Sequence, residues 1–280
     1  MRRLEFCWVL ISVLMMAVAS CQPQPGIGSH GSPISPVATP SLRKGPLKPE
    51  GWTPLTIGSL AVYYIDLQIY EPLAWTDIDW DGRHIWLVDN ITQRLVSLDQ
   101  AGEIVRALPF PQVDNLPCNV MGIAVVDSKV WIADVAHRRF YALDQRTGTI
   151  VSEFPFTNTP QGIDWDGAAL WIATVEGNRL EQRNEQGELL AAYPLQGRWT
   201  TGVASDGQQI WYVETSEGNI WAFEPTTGRH ERQDDLGVLV NQMSFNGIAW
   251  AEDYLLLFDD MRGKLYAIPR NRQTGGRQPQ

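Results

Sequence analysis

One motif occurs five times between Thr76 and Arg270. The copies start at equivalent positions, and each carries a tryptophan or a leucine ten residues after its start. These large residues are spaced 45, 40, 40 and 45 residues apart. A period of this length indicates one supersecondary unit that is repeated and buries a core against its neighbours. The copies begin at Thr76, Met121, Gln161, Thr201 and Asn246, and the large residues are Trp86, Trp131, Trp171, Trp211 and Leu256.

Each copy contains four short apolar runs that are separated by turns. In the third copy the runs read GIDW, ALWIAT, NRLEQR and LLAAYPL, with an Asp-Gly turn after the first run and a Gln-Gly turn before the last. Such runs are typical of strands, and no copy has helical periodicity over a useful length. Repeated four-stranded antiparallel sheets are the blades of a β-propeller. The sequence therefore predicts an all-β fold, a five-bladed β-propeller.

The ring is predicted to close through a strand that precedes the first copy. The fifth copy stops after its third strand, near Arg270, whereas Leu60–Leu67 has the pattern of a fourth strand. We predict that this amino-terminal strand completes the last blade, because closure leaves no exposed sheet edge. The alternative is a propeller of six blades, with a degenerate blade that draws on Gly51–Leu60.

The amino terminus is typical of an export signal. Residues 1–20 begin with a positive charge, continue with a short apolar run and end in small residues. This pattern predicts a signal peptide and is too short for a membrane-spanning helix. Val18-Ala19-Ser20-Cys21 resembles the bacterial lipobox, which implies cleavage before Cys21 and acylation of that cysteine. The alternative is a plain secreted protein in which Cys21 is a chance residue.

The remaining segments follow from composition. Residues 21–51 are rich in Pro, Gly and Ser, which predicts an extended tether, and residues 271–280 predict a disordered polar tail. The propeller is expected over residues 52–270. Because two or more acyl chains anchor a protein stably, we expect an extracytoplasmic lipoprotein on the cell membrane or the outer membrane.

The charge balance excludes one class of partner. The chain has 22 basic and 32 acidic residues, a net charge of −10, and no basic run. Binding to a phosphate backbone depends on clustered Lys and Arg, so nucleic acid is not an expected partner. The expected partners are the membrane, through the lipid anchor, and an unidentified protein, peptide or glycan ligand. We expect a monomer.

The repeats also resemble a known group. Segments such as GIDWDG, LWIAT and LDQRTG are similar to repeats of extracellular propellers related to NHL proteins, streptogramin lyases and glutaminyl cyclotransferases. The resemblance covers about residues 60–270 and implies a propeller fold.

Two sets of polar residues recur at one mouth of the expected channel. In a propeller, the start of each first strand and the end of each second strand lie on the same face. The first set is a candidate ligand site on this face and comprises Thr76, Gln161, Thr201 and Asn246, with Met121 at the fifth position. The second is a candidate metal site and comprises Asp89, Asp134, Glu214 and Asp259, with Thr174 at the fifth position.

Two interpretations of the acidic set stay open. Asp after a strand accepts hydrogen bonds from the N–H groups of the following turn. Carboxylate oxygens also suit a divalent cation such as Ca²⁺, provided that they converge on one point. We expect no other cofactor.

Catalytic patterns are scarce. The four histidines lack metal-ligand spacing, and neither a G-x-S-x-G motif nor a phosphate loop occurs. Cys118 is expected to be a buried and inert thiol. Gln161-Gly162-Ile163 partly matches the glutaminyl cyclotransferase motif, but Ile172 stands where that family has its catalytic Glu. Gluconolactonase-type enzymes hold one divalent ion with Glu, Asn and Asp, roles that Asp89, Asp134, Asn246 and Asp259 could fill.

These observations favour a surface lipoprotein whose propeller is a non-catalytic binding or scaffold module. The top-side connections at 111–120 and 236–245 are long, and loops on a rigid scaffold commonly carry binding residues. The alternative is a metal-dependent propeller enzyme, such as a lactonase, or a diverged glutaminyl cyclotransferase.

Overall fold

The computed structural model describes residues 46–67, 75–240 and 243–270. The predicted signal peptide, Cys21, most of the predicted tether and the predicted tail lie outside these residues. Two strands precede the repeats, namely β1 (Thr53–Ile57) and β2 (Leu60–Asp66).

Four blades consist of four antiparallel strands each. Blade 1 contains β3 (Trp75–Trp80), β4 (Ile85–Asp89), β5 (Arg94–Leu98) and β6 (Ile104–Pro109). Blade 2 contains β7 (Val120–Val126), β8 (Lys129–Asp134), β9 (Arg139–Asp144) and β10 (Ile150–Pro155). Blade 3 contains β11 (Pro160–Trp165), β12 (Leu170–Thr174), β13 (Arg179–Arg183) and β14 (Leu189–Pro194). Blade 4 contains β15 (Thr200–Ser205), β16 (Ile210–Glu214), β17 (Asn219–Glu224) and β18 (Arg229–Arg232).

Blade 5 joins the two ends of the repeat region. It contains β19 (Phe245–Ala251), β20 (Tyr254–Asp259) and β21 (Lys264–Pro269), and β2 pairs antiparallel with β21. The prediction of five blades closed by an amino-terminal strand is confirmed. The segment considered for a sixth blade instead supplies β1, which pairs with β2 as a fifth strand of the same sheet.

An aspartate at the turn between the first two strands shapes three of the blades. Asp81, Asp166 and Asp206 each accept the backbone N–H groups of the residues two and three positions later. The second carboxylate oxygen of each accepts the indole N–H of the second-strand tryptophan, at 2.8, 2.6 and 3.1 Å. The repeated Trp therefore packs in the core while its one polar atom is bonded.

Blade 2 departs from this arrangement. Its turn is one residue shorter, because Trp131 follows Asp127 by four positions, not five. Trp131 Nε1 is buried and has no hydrogen-bond partner among the described residues. The indole packs against Phe154, with ring centroids 5.5 Å apart.

The first strands pack closely around the axis. β3, β7, β11, β15 and β19 each contact the next first strand, and β19 contacts β3. Glycine occupies the same position in four of them, at Gly122, Gly162, Gly202 and Gly247. A Cβ atom on Gly162 would lie 2.7 Å from the Cα atom of Gly202, so only glycine permits this approach.

Segments beside the repeats also join the core. Leu47 and Trp52 are buried with residues of blades 1 and 5, and Trp52 Nε1 donates to the carbonyl of Gln100 at 2.6 Å. Between blades 4 and 5, a 3-10 turn (Asp234–Leu236) precedes α1 (Gly237–Val240). Among the described residues, no helix has the length and apolar character needed to cross a membrane.

The close approach of first strands can be tested at one glycine. We expect Gly162→Ala to lower the free energy of unfolding by about 3 kcal/mol, because the added methyl meets backbone atoms that cannot rotate away. Gly237→Ala is the matched control, since nothing lies within 4 Å of its added Cβ and its φ is −56°. Urea unfolding should show that this control changes stability by less than about 1 kcal/mol. Equal losses in the two variants would contradict the packing argument.

Candidate functional site

Strand direction defines two faces of the propeller. The top face carries the turns between second and third strands and the loops that lead into each first strand. The bottom face carries the turns between first and second and between third and fourth strands. All the site residues predicted from the sequence belong to the top face, except Cys21.

The polar set of the top face is largely engaged within the protein. Thr76 Oγ1 donates to the carbonyl of Val120 at 2.7 Å, and Thr201 Oγ1 donates to the carbonyl of Phe245 at 2.8 Å. Both bonds cross to the next blade. Asn246 Nδ2 donates to Asp260 Oδ2 at 2.6 Å. Gln161 is partly exposed, and its side chain has no hydrogen-bond partner among the described residues.

The acidic set holds the turns that follow the second strands. Asp89 Oδ1 accepts the N–H groups of Ile91 and Thr92 at 3.1 and 3.0 Å. Asp259 accepts the N–H of Arg262 at 3.2 Å and its guanidinium at 2.7 Å. Both carboxylates are almost fully buried, at 3% and 0% exposure. These contacts match the interpretation of the acidic set as turn acceptors.

Two members of the acidic set also tie down the incoming loop of their own blade. Asp134 Oδ1 accepts the N–H groups of Asn119 and Ala136, at 2.9 and 3.0 Å. Glu214 Oε1 accepts the N–H groups of Arg198 and Ser216, at 3.2 and 2.7 Å. The four predicted carboxylates are not brought to one point, because no three of them have ligand atoms within 4.8 Å of one another. The divalent-cation site at this ring stays a prediction.

Asp134 has two further neighbours that sequence reasoning did not connect with it. His137 Nδ1 lies 2.5 Å from Asp134 Oδ2. The Cys118 thiol donates to the carbonyl of Pro111 at 3.4 Å, and its sulfur lies within 4.8 Å of ligand atoms of both Asp134 and His137. Burial, and then the charge of Asp134, raises the pKa of Cys118 to about 12. The thiol is therefore protonated and unreactive at neutral pH, in agreement with the inert character expected for it. The Asp-x-x-His spacing was the available signal.

A second group missed by sequence reasoning lies around the axis. Asp77, Asp79 and Asp164 on first strands are 0%, 1% and 2% exposed. Each accepts a backbone N–H from the first strand of the next blade: Asp77 from Ile123 at 3.0 Å, Asp79 from Val125 at 2.6 Å and Asp164 from Ser205 at 2.5 Å. These carboxylates therefore link neighbouring blades by hydrogen bonds. The signal was the repeated first-strand position that is Asp in copies one and three and Ala in the others.

Asp77 stands where the other copies have glycine. Its Oδ1 atom is buried and has no hydrogen-bond partner among the described residues. Burial raises the pKa of Asp77 well above its usual range, and the nearby carboxylates of Asp79 and Asp164 raise it further. A carboxyl in this position is stabilised in its neutral form.

Among the described residues, the exposed large apolar side chains fall into two groups. Seven lie on outer strands, where apolar pairs recur at the start of the fourth strands of blades 1, 2 and 3. The other five lie in loops, and all five of these loops belong to the top face. The bottom-face turns, all of which are described, carry none. The loop group comprises Ile91 (51% exposed), Leu116 (60%), Val175 (41%), Trp199 (57%) and Met261 (81%).

The bottom face has a pocket of about 350 Å³ between blades 1 and 2. Asp81, Arg83, His84 and Arg106 line it. Asp81 already accepts the indole of Trp86 and two backbone N–H groups, and these bonds lower its pKa despite its burial. Its carboxylate is therefore part of the turn structure.

Fold and comparisons agree on the class of the protein, a five-bladed β-propeller. The chain is similar to a glutaminyl cyclase of Myxococcus xanthus, with a TM-score of 0.58, 11% identity, and coverage of 69% of this chain and 89% of that one. It is also similar to a streptogramin B lyase, with a TM-score of 0.50, 17% identity, and coverage of 79% and 99%. Identities this low show a shared fold. No protein-family model and no curated protein matches the chain.

The buried carboxyl of Asp77 should make the stability of the protein depend on pH. The folded protein holds this proton to a higher pH than the unfolded chain, so its contribution to stability is lost as pH rises through the folded pKa. We therefore expect Asp77→Asn to stabilise the protein relative to wild type, and by more at pH 7.5 than at pH 4.5. Urea midpoints of both proteins at the two pH values measure this. A difference that is the same at both pH values would contradict the assignment.

Proposed function

We propose that the protein is a lipid-anchored, extracytoplasmic binding module whose propeller captures a protein partner through its top face. The observation that carries the proposal is the confinement of exposed loop apolar side chains to that face. The apolar pairs on outer strands recur at the start of the fourth strand in blades 1, 2 and 3, so they belong to the repeat. In the loop group only Ile91 and Met261 share a repeat position, which holds Ala136, Glu176 and Ser216 in the other copies, so the repeat does not require an apolar residue there.

The chemistry of this group favours a protein partner. Trp and Met are enriched at protein interfaces, and tryptophans are frequent among the residues that dominate binding energy. Trp199 stands in the loop that leads into blade 4, and its carbonyl accepts the N–H of Thr215 at 3.1 Å, which ties the loop to the neighbouring turn. A tethered loop presents its side chain with little loss of entropy on binding.

The polar contacts support a role in binding without catalysis. The carboxylates of the acidic set are occupied by turn N–H groups, which leaves none of them placed as a free general base. Ile172, at the position of the catalytic Glu of glutaminyl cyclotransferases, is 1% exposed and packs in the core between blades 2 and 3. The two enzymes of similar structure share the fold with this chain, and their activities do not carry over.

The top face can be tested by capture from an envelope extract. We expect the full chain to retain a protein partner, and the double variant Trp199→Ala with Met261→Ala to bind it at least about 30-fold more weakly, because loss of a central aromatic anchor costs about 2 kcal/mol or more. Quantitative mass spectrometry of the captured material measures the loss.

The matched control uses apolar residues of similar exposure on outer strands. Val105→Ala with Leu190→Ala should leave capture unchanged. Protease treatment of the extract should abolish capture, whereas a glycan partner would survive it. Equal capture by both double variants, or capture that resists protease, would contradict the proposal.

The anchor rests on the sequence. Val18-Ala19-Ser20-Cys21 resembles a lipobox at the end of the predicted export signal, and the segment up to Pro46 is rich in Pro and Gly. Residues in a polyproline-like conformation span about 3.1 Å each, so this tether would let the domain reach tens of ångströms from the bilayer. Leu47 and Trp52 then fasten the end of the tether to blades 1 and 5.

Acylation can be tested at the cysteine itself. We expect Cys21→Ser to move the protein from the membrane fraction, because the acyl chains supply the binding energy. Fractionation with immunoblotting, together with mass spectrometry of the amino-terminal peptide, measures this. Cys118→Ser is the control and should stay membrane-bound. Membrane retention of the Cys21→Ser protein would show that another feature anchors it.

A further inference from the structure

We propose that Cys118, Asp134 and His137 form a binding site for a borderline-soft divalent metal ion such as Zn²⁺. These three residues offer a sulfur, an oxygen and a nitrogen atom that all lie within 4.8 Å of one another. The set differs from the ring of carboxylates predicted from the sequence, with which it shares only Asp134.

Two elements bring the ligands together. Asp134 ends β8, and His137 follows in the turn toward β9. Cys118 comes from the loop that leads into β7, which Asp134 Oδ1 holds through the N–H of Asn119 at 2.9 Å. One oxygen of Asp134 therefore fixes the backbone around the cluster, while Oδ2 faces the other two ligands. Such support of a ligand by neighbouring hydrogen bonds is typical of metal sites.

Two buried polar atoms at the cluster have no hydrogen-bond partner among the described residues. His137 Nε2 is buried and has no hydrogen-bond partner among the described residues, and the same is true of the hydroxyl of Tyr141. Tyr141 belongs to the same buried cluster of side chains as Cys118. Buried polar groups are normally bonded, directly or through an ordered water, so the cluster is a polar site within the apolar core between blades 1 and 2.

The ligand types select the metal. Thiolate, imidazole and carboxylate bind Zn²⁺ at about 2.3, 2.0 and 2.0 Å, whereas Ca²⁺ and Mg²⁺ prefer oxygen ligands. In a tetrahedral site the nitrogen and the oxygen would lie about 3.3 Å apart. His137 Nδ1 and Asp134 Oδ2 are 2.5 Å apart without an ion. For an ion to bind between them, these two atoms must move apart by less than about 1 Å. Three protein ligands leave a fourth position open.

Binding must displace a proton. Cys118 carries a neutral thiol in the metal-free protein, since burial and Asp134 raise its pKa to about 12. The ion replaces the thiol proton, which passes to solvent, and His137 binds through Nδ1 as the neutral imidazole, with its proton on Nε2. No oxidant or reductant takes part.

Co²⁺ is the spectroscopic probe for the test. The full chain carrying Cys7→Ser and Cys21→Ser retains Cys118 as its one thiol. We expect Co²⁺ to bind at one ion per chain and to produce a thiolate-to-metal charge-transfer band with intense visible bands of four-coordinate cobalt. Zn²⁺ should abolish these bands and, at a hundredfold excess over Kd, raise Tm by about 5–10 °C.

Substitutions then assign the ligands. Cys118→Ser should lose the charge-transfer band, and His137→Gln should lose most of the Tm increase. His84→Gln is the matched control, because His84 forms the same i, i+3 pair with Asp81, at 3.2 Å, without a cysteine beside it. Circular dichroism verifies that each variant is folded. The protein that keeps Cys118, Asp134 and His137 tests the proposal without relying on the folding of any ligand variant. Absence of the band in that protein, or a Tm increase that persists in both ligand variants, would overturn the proposal.

Discussion

Closure of the ring around closely packed first strands is the constraint on which the rest of the structure depends. Five sheets meet at the centre only because glycines let the first strands touch, as between Gly162 and Gly202. Pairing of β2 with β21 then completes the last blade. The antiparallel order of strands within each blade places the incoming loops and the turns after the second strands on the same top face, and closure brings the five blades' loops together there.

Buried carboxylates convert this geometry into a rigid surface. Asp77, Asp79 and Asp164 join neighbouring first strands, while Asp134 and Glu214 join the incoming loop to the turn of their own blade. A hydrogen bond contributes about 0.5–1.5 kcal/mol net, so the incoming loops bonded to Asp134 and Glu214 are held by side chains as well as by the backbone. The exposed apolar side chains of the top face are therefore held on a rigid scaffold. A rigid surface loses little conformational entropy when a partner binds.

The sequence was sufficient for the architecture, because the repeat reports packing that recurs five times. The position of β2 followed from the missing fourth strand of the last copy. The extra strand β1 did not, since it has no counterpart in the repeat. Individual contacts were harder to predict. Whether Asp89 binds an ion or its own turn depends on side-chain direction, and the meeting of Cys118 with His137 depends on how a ten-residue loop folds back, neither of which periodicity encodes.

The central claim is that the top face is the binding surface, and site-specific cross-linking in intact cells tests it most directly. A photoreactive amino acid would replace Trp199 or Met261 in the full chain, and Val105 or Leu190 would be replaced for comparison. The account expects one discrete cross-linked protein adduct from both top-face positions and none from the outer strands. Adducts that form from Val105 or Leu190, and not from Trp199 or Met261, would contradict it.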